Sequence, residues 1–298
     1  MLIPYAFKWT WKKTAAAVFF CLLLPAFAPG AVAIEDPFTA LQQRLIADGF
    51  DARHIESLYR SPDVAFETRG VSLYFIHREA RLNYGQFTTD EAIGRARAYM
   101  QQRQEELLQI EKAYAVEKEV ITAIMLVETG LGTILGKRSV LSTYSSLASL
   151  QDPEVRRRFW LAFDRKDELT REAFDKKADR KAAWAYRQLK AFLQFADREK
   201  FDPIRIRGSY AGALGIAQFI PTTAMAYAED GDGDGRINLF EHIDAMASIA
   251  GFLKAYGWRP GIDLEKKKAI IHRYNHSSYY VNTILEITSL LQRDVGKG

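Results

Sequence analysis

Twelve consecutive residues, DGDGDGRINLFE at positions 230–241, permit few backbone conformations. Oxygen donors recur at the spacing of an EF-hand-type calcium loop, with a glycine at the sixth position, where the chain must turn sharply. The alternative is an acidic turn without an ion, but its four carboxylates would then repel one another. The pattern therefore predicts a structural calcium ion, and the predicted ligands are Asp230, Asp232, Asp234, the carbonyl oxygen of Arg236, Asn238 and Glu241.

The first 33 residues have the composition of a secretory signal peptide. Lys8, Lys12 and Lys13 precede the apolar run TAAAVFFCLLLPAFA, and Ala31 and Ala33 form an A-x-A cleavage site. The alternative is a retained membrane anchor, but the run is short for a spanning helix. We expect cleavage after residue 33 and export to the periplasm or cell envelope.

The rest of the chain is close to neutral and lacks cysteine. Removal of residues 1–33 takes away three lysines, no acid and the single cysteine, Cys21, so that the formal net charge falls from +4 to +1. This small charge argues against nucleic acid as a partner, and the missing thiols exclude disulfides, metal thiolates and cysteine nucleophiles. We expect a monomer stabilised by core packing and the calcium ion.

Most of the chain shows the apolar periodicity of amphipathic helices. Asp36 and Pro37 predict a first helix that stops at Gly49, and Thr88 with Glu91 forms a capping box. Charged residues interleaved with aromatic residues predict a solvated helical hairpin within residues 152–200. We expect a mainly α fold, and the other predicted helices cover residues 88–114, 117–129, 244–256, 264–274 and 279–293.

The stretch AIMLVETGLG places one carboxylate, Glu128, in an apolar helix. One turn before it lie Ile124 and Met125, and Gly130 predicts that the helix ends just beyond it, at the negative end of the helix dipole. Both features disfavour the ionised form and predict a raised pKa for Glu128. A general acid needs such a proton, yet a buried glutamate in a hydrogen-bond network fits the periodicity equally well.

Three motifs are separated along the chain between residues 127 and 281. They are VETGLGTILGKRSVLSTYSSLASL, FDPIRIRGSYAGALGIAQFIPTTAMAYAEDGDGDGRINL and HRYNHSSYYV, and together they resemble the lytic transglycosylase B family of peptidoglycan-cleaving enzymes. The resemblance covers most of residues 110–290. It implies an α+β lysozyme-like catalytic domain at 110–298, with a helical insertion at about 152–200 and the calcium loop, preceded by an N-terminal helical region at 34–109.

The same resemblance implies roles for individual residues. Glu128 takes the place of the family's single catalytic acid and base, in the cleavage of the MurNAc–GlcNAc β-1,4 bond. Ser209 and Gln218 correspond to residues that line the cleft. Together with Asn275, they are neutral hydrogen-bonding side chains, suited to holding an acetamido group without adding charge.

Aromatic residues complete the expected substrate site. Tyr274 and Asn275 belong to the R-Y-N motif, and Tyr280 corresponds to a tyrosine that follows it in the family. Tyr210 and Phe219 are further candidates for stacking on sugar rings, because aromatic faces suit apolar sugar surfaces. For these two residues, a place in the core is the alternative.

The chemistry that the resemblance implies needs one carboxylate, whereas most glycosidases use two. Glu128 would protonate the glycosidic oxygen, the MurNAc N-acetyl group would assist at C1, and Glu128 would then deprotonate the 6-hydroxyl as a 1,6-anhydro ring closes.

Two alternatives stay open. A lysozyme-type hydrolase would use Asp152 or Asp202 as a second acid, and a non-catalytic, calcium-stabilised protein would only bind peptidoglycan. The expected partners are peptidoglycan glycan strands, and protein partners in the cell envelope are left open.

Overall fold

The computed structural model of the chain describes residues 36–76, 83–163 and 169–293. The predicted signal peptide lies outside the described residues. Within them the chain forms thirteen α-helices, one 3-10 helix (Tyr84–Phe87) and two short strands. The α-helices are α1 (Thr39–Ala47), α2 (Ala52–Arg60), α3 (Thr68–Ile76), α4 (Asp90–Gln102), α5 (Gln104–Tyr114), α6 (Lys118–Thr129), α7 (Val140–Ser149), α8 (Pro153–Ala162), α9 (Arg171–Arg198), α10 (Pro221–Tyr227), α11 (His242–Ala255), α12 (Leu264–Tyr274) and α13 (Ser278–Gln292). The predicted mainly α class is confirmed.

Helix starts depend on local side-chain caps. The hydroxyl of Thr89 accepts from the backbone N–H of Ala92 at the start of α4, so the cap is Thr89 and the prediction of Thr88 was wrong by one residue. The first helix also begins later than predicted, because the side chain of Asp36 accepts from the N–H of Phe38 in a turn before α1. The predicted helices that became α6, α11, α12 and α13 are confirmed within two residues at each end.

The predicted continuous helix over residues 88–114 was wrong, because the chain breaks it at Arg103. This residue has φ −109° and ψ 26°, outside the helical region, and it separates α4 from α5. Glu105 and Glu106 follow at once, where acids favour a helix N-terminus. The guanidinium of Arg103 is 2.9 Å from the carboxylate of Glu106, which stabilises the new start.

Helix α6 is the central helix of the fold. Nine of its twelve residues are buried, and it packs against α4, α5, α11 and α13. A helix that is covered on most sides is apolar around most of its circumference, which explains the run of apolar residues before Glu128. This packing fixes the direction of the helix and the position of its C-terminal end.

The β structure is small and lies next to that end. Strand β1 (Arg138–Ser139) pairs antiparallel with β2 (Arg207–Gly208). Single bridges then join Gly208 to Leu214 and Leu214 to Phe219, so the glycine-rich segment after β2 folds back on itself. These pairings supply the β part of the expected α+β core.

The described residues from Asp36 onward form one compact unit. The predicted boundary at 109/110 falls inside α5, and α1 and α3 pack on α7, which lies beyond it. The division into an N-terminal region and a catalytic domain therefore stays a prediction about function. Residues 152–200 contain α8 and α9, and α9 packs on α7 and α10.

Across the described ranges, the helices are all too short or too polar to cross a membrane.

Candidate active site

Glu128 lies half-buried in the last turn of α6. The helix ends in a left-handed residue, Gly130, whose N–H donates to the carbonyl of Leu126. This bond is that of an αL-type helix end, and the N–H of Leu131 donates further back, to the carbonyl of Met125. The carboxylate is thus presented at a rigid helix terminus rather than on a loop.

Two tyrosines lie near this carboxylate, Tyr280 buried and Tyr274 half-buried. Burial raises the pKa of Tyr274 and Tyr280 well above the ordinary range, and the negative charge of Glu128 raises both further. The hydroxyl of Tyr280 makes no hydrogen bond of ordinary geometry. A weaker hydrogen bond from this hydroxyl to Glu128 also raises the pKa of Tyr280. The two rings stack with centroids 6.4 Å apart. Both phenols therefore keep their protons at neutral pH. The hydroxyl of Tyr274 donates its proton to the carbonyl of Ala217, whereas that of Tyr280 is directed to Glu128.

Thr129, the residue after Glu128, ties the helix end to the glycine-rich segment. Its hydroxyl lies 3.1 Å from the carbonyl oxygen of Ile216 and 3.4 Å from that of Met125 in its own helix. The same oxygen accepts from the N–H of Gly132 at 3.0 Å. This contact brings the end of α6 against the stretch that contains Gln218.

Gln218 and Phe219 have different environments. Gln218 is half-buried in a left-handed conformation with φ +49°, and its side-chain amide donates to the carbonyl of Gly215 at 2.8 Å. Phe219 is only 2% exposed, and its ring packs against those of Phe252 and Tyr274. The face of Phe219 is therefore covered, and its contact supports Tyr274 from the core side.

Ser209 and Tyr210 follow β2 directly. The hydroxyl of Ser209 accepts from the N–H of Ala213 at 3.1 Å and closes a turn. Tyr210 is half-buried and meets the ring of Tyr74 edge-on, with centroids 6.2 Å apart. The hydroxyl of Tyr74 donates to the carbonyl of Ala211, so a residue of the N-terminal region helps to hold this turn. Sequence reasoning missed Tyr74.

The R-Y-N motif lies at the end of α12. The hydroxyl of Tyr274 donates to the carbonyl of Ala217, next to Gln218. Asn275 is the half-buried C-cap of the helix, and its carbonyl accepts from the N–H of Ser277 at 2.8 Å. Tyr274 is therefore the residue that joins this motif to the glycine-rich segment.

The two acids considered for a hydrolase have local roles. A carboxylate oxygen of Asp152 accepts from the N–H groups of Glu154 and Val155 and caps α8. A carboxylate oxygen of Asp202 accepts from the N–H of Ile204 in a turn. These contacts account for both acids without a role in catalysis.

Three carboxylates meet at the acidic segment after α10. One oxygen from each of Asp230, Asp232 and Asp244 lies within 4.8 Å of the others. Asp244 is 2% exposed, and its two oxygens accept from the N–H groups of Gly231 at 2.8 Å and Asn238 at 2.6 Å. Burial raises the pKa of Asp244, and the charges of Asp232 and Asp230 add to this effect.

The other predicted ligands are not part of this group. Asp234 is exposed and accepts from the N–H of Arg236, and Glu241 is exposed and accepts from the side-chain amide of Asn238. Sequence reasoning missed Asp244 because the calcium-loop pattern ends at Glu241, three residues earlier. A search for the next acid at the start of the following helix would have found it.

Comparison with known proteins identifies the family. Residues 34–269 match the family described as Transglycosylase SLT domain. Membrane-bound lytic murein transglycosylase B of Escherichia coli (strain K12) is 30% identical over 211 residues, which cover 70% of this chain and 51% of that protein. The chain thus spans about half the length of this curated relative.

Solved structures share the fold. The soluble lytic transglycosylase SltB1 from Pseudomonas aeruginosa superimposes with a TM-score of 0.69 at 24% identity, over 86% of this chain and 98% of that chain. The Escherichia coli lytic transglycosylase Slt35 in complex with calcium gives a TM-score of 0.65 at 21% identity, over 86% and 92% of the two chains. With the family match over most of its length, the chain belongs to the transglycosylase SLT domain family.

Proposed function

We propose that the protein is a lytic transglycosylase that cleaves the MurNAc–GlcNAc β-1,4 bond of peptidoglycan without water. The observation that carries this proposal is the position of Glu128 at the end of the central helix, near enough to Tyr274 and Tyr280 for its charge to raise the pKa of both phenols. Family membership and the murein transglycosylase relative support it.

The proposed chemistry uses one carboxyl group twice. Glu128 first gives its proton to the glycosidic oxygen as the bond from that oxygen to C1 breaks, and the acetamido oxygen of MurNAc stabilises C1. The Glu128 carboxylate then accepts the proton of the 6-hydroxyl, and O6 bonds to C1 as the acetamido group is released. The products are a free hydroxyl on GlcNAc and a 1,6-anhydro-MurNAc end, with the carboxyl group protonated again.

Neutral side chains around Glu128 hold the sugar in this scheme. The amide nitrogen of Gln218 is used by Gly215, which leaves the amide oxygen of Gln218 to accept from the acetamido N–H. The hydroxyl of Ser209 accepts from Ala213 and keeps its own proton for donation to substrate. Asn275 and Tyr210 line the same side of the site in this proposal.

We also propose that Asp230, Asp232 and Asp244 hold a structural calcium ion. Three carboxylates that converge within 4.8 Å suit a hard cation that takes oxygen ligands. Calcium takes six to eight such ligands, so Asp234, Asn238, Glu241 and the carbonyl of Arg236 remain candidates for further positions. The fold-related Slt35 was solved with calcium, which supports the same ion here.

The proposed place of action is the cell envelope. The apolar N-terminal run with its A-x-A site supports export, and the murein transglycosylase relative is named as membrane-bound. Peptidoglycan glycan strands are the proposed partner, acted on by a monomer.

The test is a digest of purified sacculi with residues 34–298, followed by mass spectrometry of the released muropeptides. We expect products with 1,6-anhydro ends from the wild type and none from Glu128→Gln. Products with reducing ends would instead indicate a hydrolase. Sacculus binding without any product from the wild type would indicate a binding protein.

A further inference from the structure

The exit of the acidic segment packs directly beneath the turn that carries Glu128. We call residues 230–244 the acid loop. Near its end, the carbonyl of Leu239 accepts from the N–H of Ile216 at 2.8 Å. The carbonyl of Ile216 in turn accepts from the hydroxyl of Thr129 at 3.1 Å. Two hydrogen bonds through Ile216 thus connect the acid loop to the residue that follows Glu128.

Close packing supports this connection. A Cβ atom on Gly215 would lie 2.2 Å from the carbonyl oxygen of Leu239, so the two backbones touch with no room for a side chain. A Cβ atom on Gly132 would lie 3.0 Å from the ring of His242, the first residue of α11. His242 is itself held by a hydrogen bond of 2.9 Å between its Nδ1 and the hydroxyl of Tyr99. The acid loop therefore contacts the turn after Glu128 directly at Gly132, and it contacts the glycine-rich segment at Gly215.

The connection runs through a dry interior. Thr129, Ile216 and Leu239 are each 1% exposed. Hydrogen bonds in such a place have no competing water, and a buried carbonyl that loses its partner is costly. Small displacements of Leu239 should therefore be passed to Thr129 rather than absorbed by solvent.

We infer that Thr129 is a positioning residue that couples the order of the acid loop to the orientation of Glu128. Ile216 lies two residues before Gln218, so the same bonds set the spacing between the Glu128 carboxyl and the Gln218 amide. A divalent cation that orders the acid loop would then regulate the turnover step. This inference rests on the proposed function and on the proposed calcium ion.

The catalytic test uses Thr129→Val, which keeps the shape of the side chain and removes its hydroxyl. We expect kcat to fall roughly 10- to 100-fold with KM unchanged, because displacement of a reacting group lowers the rate without loss of binding contacts. Thr129→Ser should restore most of the activity. Thr133→Val is the matched control, since the hydroxyl of Thr133 bonds to carbonyls of its own turn, Thr129 and Gly130.

A second test needs no activity. Amide hydrogen exchange is measured on wild type and on Thr129→Val, each with calcium and with a chelator. In the wild type, calcium should slow exchange at Ile216 and at Ile134, whose N–H donates to the backbone carbonyl of Thr129. In Thr129→Val the calcium effect should persist at Ile216 and disappear at Ile134.

The outcomes separate the inference from the proposed function. Wild-type kcat in Thr129→Val, or a calcium effect at Ile134 that survives the substitution, would overturn the coupling. If calcium did not change the exchange rate of the Ile216 amide in the wild type, the coupling would be overturned. This outcome does not depend on whether the variant folds. A wild type that makes no anhydro product would overturn the proposed function and leave the exchange test decisive for the coupling.

Discussion

The turn after α6 is held by groups far away in the sequence, whereas the acid loop is held largely by its own backbone. Thr129 depends on Ile216, and Glu128 lies beside Tyr274 and Tyr280. In the acid loop, by contrast, each of Asp230, Asp232 and Asp234 accepts from a backbone N–H two to five residues later, and Asp244 closes the loop.

This difference separates two kinds of sensitivity. Electrostatic repulsion among converging carboxylates makes the acid loop responsive to cations and therefore to solution conditions. The turn after α6 lies in a packed interior, so it responds to the loss of single atoms. Substitutions in the acid loop should therefore act mainly on stability and reach turnover only through Thr129, whereas substitutions in the turn after α6 should act on catalysis directly.

Glu128→Gln should give the largest effect. Loss of the only proton donor in the scheme should lower the rate of anhydro-product formation at least about 10³-fold, within the range of general acid–base catalysis. The fold should be unaffected, because the amide has nearly the shape of the acid. The rate is measured by mass spectrometry of muropeptides, and Tm and sacculus binding are the controls. An equal loss of binding would show that Glu128 holds substrate rather than protonates it.

Removal of calcium should act on stability. At a calcium concentration about 100 times Kd, binding contributes about 2.7 kcal/mol, so chelation should lower Tm by several degrees. Asp244→Asn should abolish this calcium dependence, and Glu241→Gln should retain most of it, since Glu241 is outside the carboxylate group. Calorimetry with and without chelator checks both variants. If Glu241→Gln instead abolished the calcium dependence and Asp244→Asn retained it, the ion would be held by the twelve-residue loop that the sequence predicts.

Tyr280→Phe should lower the rate about tenfold, or about 1.4 kcal/mol, while stability stays equal or rises. The Tyr280 hydroxyl is buried without a regular partner, so its removal relieves an unmet hydrogen bond. The matched control is Tyr59→Phe, because the hydroxyl of Tyr59 bonds to Ser145 at 2.7 Å. That control should lose stability and keep activity. Unchanged activity in Tyr280→Phe would show that this hydroxyl does not assist Glu128 in catalysis.

Thr89→Ala should give the smallest effect, a loss of about 1 kcal/mol in the free energy of unfolding. This cap lies outside the acid loop and the turn after α6, so its loss gives a reference value for the effect of a purely local substitution on stability. Thr88→Ala is the control and should cost less, because Thr89 makes the capping bond. Urea unfolding of both variants measures the difference. A larger loss of stability in Thr88→Ala than in Thr89→Ala would show that Thr88 is the cap.

Features set by neighbouring residues could be predicted from the sequence. The position of α6 and its end before Gly130 follow from apolar residues and a glycine that are adjacent in the chain. The carboxylate spacing of Asp230 and Asp232 likewise needs no tertiary information. The break at Arg103 could not be predicted from periodicity, since the apolar pattern continues across it.

Features that depend on distant contacts were missed or came only through family resemblance. Tyr74 meets Ala211 across 137 positions in the sequence, and no local pattern indicates that pair. The role of Thr129 is equally hidden, because its partner Ile216 is 87 positions away. Asp244 was missed for a different reason, since a known loop pattern directed attention to Glu241. The same reliance on distant contacts makes the active-site turn harder to predict than the acid loop.

The most direct measurement is a digest of sacculi in water enriched in ¹⁸O, with mass spectrometry of the products. If Glu128 acts alone and the sugar's own 6-hydroxyl attacks C1, the 1,6-anhydro ends should form without any label. Products that carry ¹⁸O at C1 from the first time point, with no unlabelled anhydro ends, would mean that water is the nucleophile. That result would contradict the single-carboxylate mechanism.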